Sequence, residues 1–438
     1  MERVAGEGMG RETAIEWYDF FLYGTAAALV FGKLFFPEAT PLQGTLLAFG
    51  TYGVGFFARP VGGIIFGHYG DRIGRKTMLV LSLLIMGVAT FLIGLLPTFE
   101  QVGVLAPILL VVLRLFQGIG VGGEWGGAVL MAVEHAPPGR RGFYGSWPQM
   151  GVPAGLLLAN VVFFLSSAAI SESQFLAWGW RIPFLVSIIL VGVGLFIRLR
   201  LLESPAFAQV KESGTESEMP ILDVLRTYPK NVLLAMGMRI AENGTFYILT
   251  AFVLTYVVEE VGLEQNTGLT GVIIAAAIGL LTIPFFGGLS DRVGRRPLYL
   301  FGAVFSLLFA FPFFWLLNTG VAPLVWLAVV LGVNLGHDSM YGPQAAYFAE
   351  LFGTRVRYSG ASLGYQLASV LAGGLSPLIA VALLASYGYA AVATYMAIMA
   401  LITVVSVILA SETFQEDINE TQVAERRLIS EGPEPRTQ

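Results

Sequence analysis

Apolar runs of about twenty residues, long enough to cross a hydrocarbon core as helices, alternate along the chain with short polar breaks. Twelve such runs read at 14–36, 43–69, 77–97, 103–135, 142–169, 178–202, 231–258, 267–289, 297–318, 321–351, 358–386 and 388–411. The breaks fall where proline, glycine and charge collect, as at 37–41, 137–141 and 291–297. The pattern predicts an all-α membrane protein with twelve transmembrane helices in two six-helix bundles. Residues 1–202 form the first bundle, 203–230 a cytoplasmic linker, 231–411 the second bundle and 412–438 an acidic cytoplasmic tail. Within the linker, Ser204 and Pro205 read as an N-cap and first-turn proline, which predicts a short surface helix. The first run is expected to stay in the membrane. Residues 1–12 are polar, Glu16 and Asp19 interrupt the apolar stretch, and no small-residue cleavage pattern follows.

Composition sharpens this. Only 13% of residues are charged and mean hydropathy is +0.73, against about a quarter charged in soluble domains. That excludes a disordered chain and a nucleic-acid binder with a broad basic face. With no cysteine, disulfides and thiolate metal sites are excluded too. The positive charges orient the spans. Of 25 Lys and Arg residues, Arg59, Arg114, Arg181 and Arg239 lie inside runs. Lys33 alone falls in an outward segment when the N-terminus is placed in the cytoplasm; all others fall inward. One missed helix would invert every later loop, so the bias predicts both termini in the cytoplasm.

An internal repeat follows from the same breaks. Gly67, Asp71, Arg72, Gly74, Arg75 and Lys76 spell G-x-x-x-D-R-x-G-R-K between the second and third runs. Gly287, Asp291, Arg292, Gly294, Arg295 and Arg296 repeat it between the eighth and ninth. Glu134 and Arg141 after the fourth run match Glu350 and Arg357 after the tenth. Glycine permits a tight turn. Aspartate can accept hydrogen bonds from a neighbouring helix start, and arginine can bridge to acids at helix ends. Such clusters could latch one mouth of a transporter; alternatively they are topology signals and anchors.

These residues resemble the major facilitator superfamily. The doubled loop is similar to its signature, and Arg114, Gln117, Gly118 and Gly120 spell its R-x-x-Q-G-x-G motif. Further stretches resemble the metabolite:proton symporter family: residues 16–24 (EWYDFFLYG), 59–63 (RPVGG), 122–127 (GGEWGG), 178–184 (WGWRIPF) and 203–205 (ESP). Residues 27–31 and 66–68 are similar to the shikimate permease branch. The resemblance implies twelve helices, alternating access and proton-coupled uptake at a bacterial inner membrane. Two departures narrow it. The tail is short and lacks the sustained heptads of osmosensing proline/betaine permeases. Residues 145–155 do not match the antiporter pattern G-x-x-x-G-P-x-x-G-G, which favours symport.

Charges inside spans cost about 2.5–3.5 kcal/mol each at the bilayer centre on insertion scales, so each needs a partner or a task. Arg114 sits eleven residues into its run, roughly 16 Å deep at 1.5 Å per residue, with Gln117 and Glu124 on the same face. It suits a substrate carboxylate bound in bidentate fashion, or a buried pair with Glu124 or Asp19. Glu16, Asp19 and Tyr23 share one face of the first run. Burial favours a neutral carboxyl and an adjacent guanidinium the charged one, so a substrate that takes the arginine would let an acid collect a proton. Asp19, Glu124, Glu242 and Asp338 are therefore the proton-coupling candidates. Tyr52, Arg59, Gln149, Arg239, Asn243, Asn334 and Tyr341 join Arg114 and Gln117 as substrate-binding candidates. Arg239 and Glu242 could simply neutralise each other. His337 reads as a hydrogen-bonded core residue ahead of a relay, and Arg181 as an interfacial anchor.

No H-E-x-x-H, no G-x-x-x-x-G-K-[S/T] and no clustered metal ligands occur in the sequence. No cofactor is expected; a proton gradient supplies the energy, and the partners are a small molecule, H+ and the lipid bilayer, not nucleic acid. The expected protein is a monomeric, non-enzymatic symporter of a small polar metabolite, best a hydroxy- or dicarboxylate. The alternatives are a proline/betaine-type zwitterion symporter and a non-transporting membrane sensor.

Overall fold

The computed structural model describes residues 14–15, 17–73, 75–122, 129, 132–133, 136–137, 139–200, 220–352 and 357–414. Among them there is no strand; helices follow one another along the chain. They are α1 (17–35), α2 (Pro41–Ile73), α3 (Arg75–Leu95), α4 (Leu105–Gly122), α5 (Arg141–Ala168), α6 (Arg181–Arg200), α7 (Pro229–Glu259), α8 (Gln265–Val293), α9 (Arg295–Leu317), α10 (Ala322–Glu350), α11 (357–387) and α12 (Tyr389–Leu409). Each of these helices coincides with one apolar run of the sequence. Among the described residues eight, α4, α5 and α7–α12, are long and apolar enough to cross a membrane alone, and α6 with the turn Glu172–Gly179, bent by 47°, makes a ninth. A short helix, Pro220–Thr227, precedes α7; the linker helix expected at Ser204 lies outside the described residues. Pro60 sits within α2 without ending it.

Large apolar side chains such as Ile64, Leu165, Ile189, Leu281, Phe285 and Leu308 point outward, as a lipid-facing surface requires. The interior is closed by small residues. A Cβ at Gly62 of α2 would strike the Ile119 carbonyl, and one at Gly118 or Gly122 of α4 would strike the carbonyls of Gly55 or Arg59. The α2 and α4 backbones therefore touch. Gly294 joins α8 to α9 at φ 102°, a conformation that side chains resist.

The two groups α1–α6 and α7–α12 meet along three seams. Helix α5 packs on α8 and α10, α2 packs on α11, and α1 touches α7 where Thr255 donates to the Ala28 carbonyl at 3.3 Å. Four helices widen into π-helical turns near their middles: α1 at Ala27–Phe31, α7 at Ile248–Phe252, α10 at Leu331–His337 and α11 at Ser369–Gly374. Such turns are frequent at functional sites because they release backbone groups from the regular ladder.

Candidate functional site

Two polar clusters lie inside the bundle, one on each side of an aromatic seam. The first belongs to α1, α2 and α4. Arg114 is fully buried. Its Nη1 donates to Gln117 Oε1 at 3.0 Å, and Nε and Nη2 reach the Tyr52 carbonyl at 3.4 Å. Gln117 passes the chain on, donating to Thr90 Oγ1 at 2.6 Å. The guanidinium carbon lies 4.2 Å from the Tyr23 ring centroid, 4.5 Å from Phe20 and 4.9 Å from Tyr52. Arg59, equally buried, stands 4.3 Å from the rings of Phe20 and Phe56. Its Nε and Nη2 have no hydrogen-bond partner. Phe20 is thus shared by two buried cations, and among the described residues neither one forms an ion pair. Asp19, at 1% exposure, is buried on the same helix as Phe20.

The second cluster belongs to α7, α8, α9, α10 and α11, and it holds charges of both signs. Arg239 Nη1 donates to Glu242 Oε2 at 2.7 Å and to Gln344 Oε1 at 2.8 Å; Nε donates to Ser369 Oγ at 3.1 Å. The Arg239 guanidinium also covers the Tyr365 ring. Gln344 turns its amide to Glu242 Oε2 at 2.9 Å and to the Tyr299 hydroxyl at 2.8 Å. Glu242 Oε1 meets His337 Nε2 at 3.1 Å, and His337 Nδ1 meets Asp338 Oδ1 at 2.8 Å. Asp338 Oδ2 accepts from Asn334 at 2.8 Å and from Thr282. The result is an unbroken line from Arg239 to Asn334. Among the described residues no set of His, Asp and Glu is arranged to hold a metal ion.

Between the clusters, Phe20 and Phe21 of α1, Tyr52 and Phe56 of α2, and Phe246 and Tyr247 of α7 interlock with ring centroids 5.0–6.3 Å apart. Gly373 of α11 closes this seam; a Cβ there would strike Asn243, Phe56 and Tyr247. The Tyr52 hydroxyl and Asn243 Oδ1 are buried here without a hydrogen-bond partner. Buried polar atoms left unpaired are rare and call for an explanation, and these line the same seam as Arg59. Gln149 of α5 reaches across to the Tyr341 carbonyl at 3.2 Å, and Gln366 of α11 to the Gly122 carbonyl at 3.3 Å.

A third cluster joins the ends of several helices. Asp291 at the end of α8 accepts from the backbone N–H groups of Gly142 at 2.7 Å and Phe143 at 2.9 Å, which open α5. A carboxylate at a helix start satisfies donors that the helix itself leaves open. Arg295 binds Asp291 at 2.7 Å and grips Glu350 with two nitrogens at 3.1 and 3.2 Å; Arg141 stands 4.0 Å from Glu350. Glu412, just past α12, accepts from the Arg295 and Arg296 N–H groups at 3.0 and 2.9 Å, and Thr413 donates to Glu350 at 2.7 Å.

The sequence-derived candidates therefore sort by place. Tyr52, Arg59, Arg114 and Gln117 converge in the first cluster. Arg239, Glu242, Asn334, Asp338 and Tyr341 gather in the second, with Asn243 at the seam. Asp291, Arg295, Glu350 and Arg141 gather in the third, where Gly294 forms the turn. Arg292 is exposed and stays apart. Glu124, Glu134 and Gly74 lie outside the described residues; of Gly67, Asp71, Arg72, Arg75 and Arg357 only the helical backbone is described. Arg181 donates to the Gly94 carbonyl at 3.1 Å and to that of Leu96, fastening the end of α3. Sequence reasoning missed Thr282, Tyr299, Gln344 and Ser369 as members of the second cluster; it read His337 as a hydrogen-bonded core residue, and His337 is buried and hydrogen-bonded there. The signal for His337 was its place beside Asp338, one turn from Asn334.

Comparison with known proteins gives a consistent result. The sequence profile described as the Major Facilitator Superfamily matches residues 14–373. The shikimate transporter of Escherichia coli (strain K12) is 44% identical over 416 residues, covering 94% of this chain and 95% of that protein. The proline/betaine transporter of the same strain is 36% identical over 416 residues, covering 91% and 81%. Among solved structures, the proton:xylose symporter XylE bound to 6-bromo-6-deoxy-D-glucose superposes with a TM-score of 0.73 at 18% identity, covering 95% of this chain and 98% of that one. The partially occluded inward-open xylose transporter XylE from E. coli gives 0.68 at 18% identity, covering 92% and 98%.

Proposed function

The chain belongs to the Major Facilitator Superfamily, and from that premise we propose that it imports a small organic acid together with protons, by alternating access. The protein is a multi-pass membrane transporter, not an enzyme. The substrate class proposed is a hydroxy- or dicarboxylate of the shikimate kind, in line with the name of its 44% identical relative.

One observation carries the substrate reading. Arg59 and Arg114 are buried against one phenyl ring and form no ion pair among the described residues. A buried charge without a counter-charge is costly, and a carboxylate arriving between α1, α2 and α4 would relieve it. Arg239, by contrast, already holds Glu242. The unpaired Tyr52 hydroxyl and Asn243 carbonyl oxygen suit ring hydroxyls on the same ligand. The candidates for proton coupling are the buried Asp19 on the substrate side, the network that joins Glu242 and Asp338 opposite, and Glu124, which lies outside the described residues. In this reading the mouth closed by Asp291 and Arg295 faces the cytoplasm, residues 1–202 and 231–411 rock about the aromatic seam, and both termini are cytoplasmic.

Purified protein in proteoliposomes tests this. Radiolabelled shikimate is expected to accumulate when the outside is acidified and to lose that accumulation with a protonophore; uptake indifferent to the gradient overturns symport. The aromatic seam also admits a zwitterion, whose ammonium group could lie over its rings. Unlabelled proline or betaine displacing the label better than hydroxy acids would favour that second reading.

A further inference from the structure

His337 lies between two carboxylates that come from different helices. Nε2 faces Glu242 of α7 at 3.1 Å and Nδ1 faces Asp338 of α10 at 2.8 Å, and the ring is 2% exposed. Each contact needs a proton between its two heavy atoms. A neutral imidazole carries one N–H. With both acids ionised, one of the two contacts would then set a nitrogen lone pair against a carboxylate. Both are satisfied only when the three groups together hold two protons.

The location of the second proton follows from what the acids already accept. Glu242 Oε2 takes Arg239 and Gln344; Asp338 Oδ2 takes Asn334 and Thr282. Both carboxyl groups already accept donors at their other oxygens, so in this assignment the second N–H belongs to the imidazole that stands between them. The imidazole is also sandwiched between aromatic rings, with Phe246 at 4.3 Å and Tyr341 at 4.8 Å between centroids. Those ring faces favour a cation. With His337 protonated the cluster is electroneutral: Arg239 and His337 against Glu242 and Asp338. Without that proton it keeps a net negative charge in a dry interior. Among the described residues the other side chains bonded into or stacked on it are neutral or phenolic: Thr282 from α8, Tyr299 from α9, Gln344 from α10, and Tyr365 and Ser369 from α11.

We propose that His337 carries the coupled proton, and that its loss loosens α7 from α10. This deepens the symport reading and rests on it. The helices are joined here through the His337–Glu242 contact, beside the bonds that Gln344 of α10 makes with Arg239 and Glu242 of α7, and Phe246 and Tyr341 relay the change. Phe246 meets Phe21 of α1 at 5.8 Å, and the Tyr341 carbonyl holds Gln149 of α5 at 3.2 Å. A proton leaving the second cluster therefore loosens the seam against which the substrate cluster is built. The division of labour is spatial: anion on one side of the rings, proton on the other.

Two measurements test the assignment. In proteoliposomes, His337→Gln is expected to abolish accumulation of radiolabelled shikimate above its external concentration while exchange of label across the membrane continues. If wild type accumulates the acid and the variant does so equally, the assignment falls and the symport reading stands; if wild type accumulates nothing, the symport reading fails. The second needs no substrate. In 15N-histidine-labelled protein in nanodiscs at neutral pH, the signal lost in His337→Gln should be that of an imidazolium protonated on both nitrogens. A neutral imidazole signal there overturns the proposal whatever is transported.

Discussion

Arg114 and Arg239 bear the same charge at the same depth of burial, yet their surroundings differ in kind. Arg239 is held by a carboxylate, an amide and a hydroxyl; Arg114 is held by a carbonyl, an amide and three rings. Among the described residues, only the second has no carboxylate beside it. Hydrogen bonds to charged groups contribute about 1.5–3 kcal/mol, so Arg114→Ala should raise the half-saturating substrate concentration roughly ten- to a hundredfold. Arg114→Lys should recover only part of this, because an ammonium lacks the planar fork. Uptake curves of both variants check it, and unaltered affinity in Arg114→Ala would refute the substrate role. Much of the first cluster was legible from the chain because Arg114 and Gln117 are one turn apart and meet on their own helix. The second was not. Glu242 and His337 are separated by 95 positions, and helical periodicity says which face a residue occupies but not which helix that face will meet.

At the scale of the element, α11 shows how little room the seam has. Its π-helical turn brings Gly373 against Asn243, Phe56 and Tyr247. Overfilling a packed interior costs about 1–3 kcal/mol, so Gly373→Ala should lower the melting temperature in detergent and slow uptake. A fully stable, fully active variant would show that the seam is loose. Gly118→Ala is a stricter case, since the obstacle is the Gly55 carbonyl and Ala58, which cannot rotate away; its destabilisation should exceed that of Gly373→Ala. Glycine-rich α4 was readable as a helix of close approach, but the partner α2 was not. The π-helical turns left no mark in the sequence, since their wider winding preserves the apolar content that predicts a span.

At the scale of the molecule, the pairing of two similar groups of six runs was readable because the D-R-x-G-R loop recurs and because positive charge alternates sides. The link across the mouth was half readable. A loop aspartate seeking a helix start was foreseeable, but that the start belongs to α5, some 149 positions away, follows only from the fold. Asp291→Ala removes both acceptors and should open that mouth more often. The chain contains no cysteine, so an Ala345→Cys probe can be placed without clearing others. Ala345 is buried where α5 and α10 meet. Maleimide should label it faster in the Asp291→Ala background, and an equal rate would show that the mouth is closed by packing alone.

The Asp291 contact has an evolutionary side. Its donors on α5 are peptide N–H groups of Gly142 and Phe143, which nearly every amino acid supplies. A substitution at Phe143 leaves its donor in place, proline excepted. Gly142 has no such freedom, because a Cβ there would strike the Gly287 carbonyl, Arg295 and Ser290. Selection acting on cycling speed would therefore find two codons to adjust, the aspartate and the glycine that lets the helices approach, while Phe143 stays free to drift.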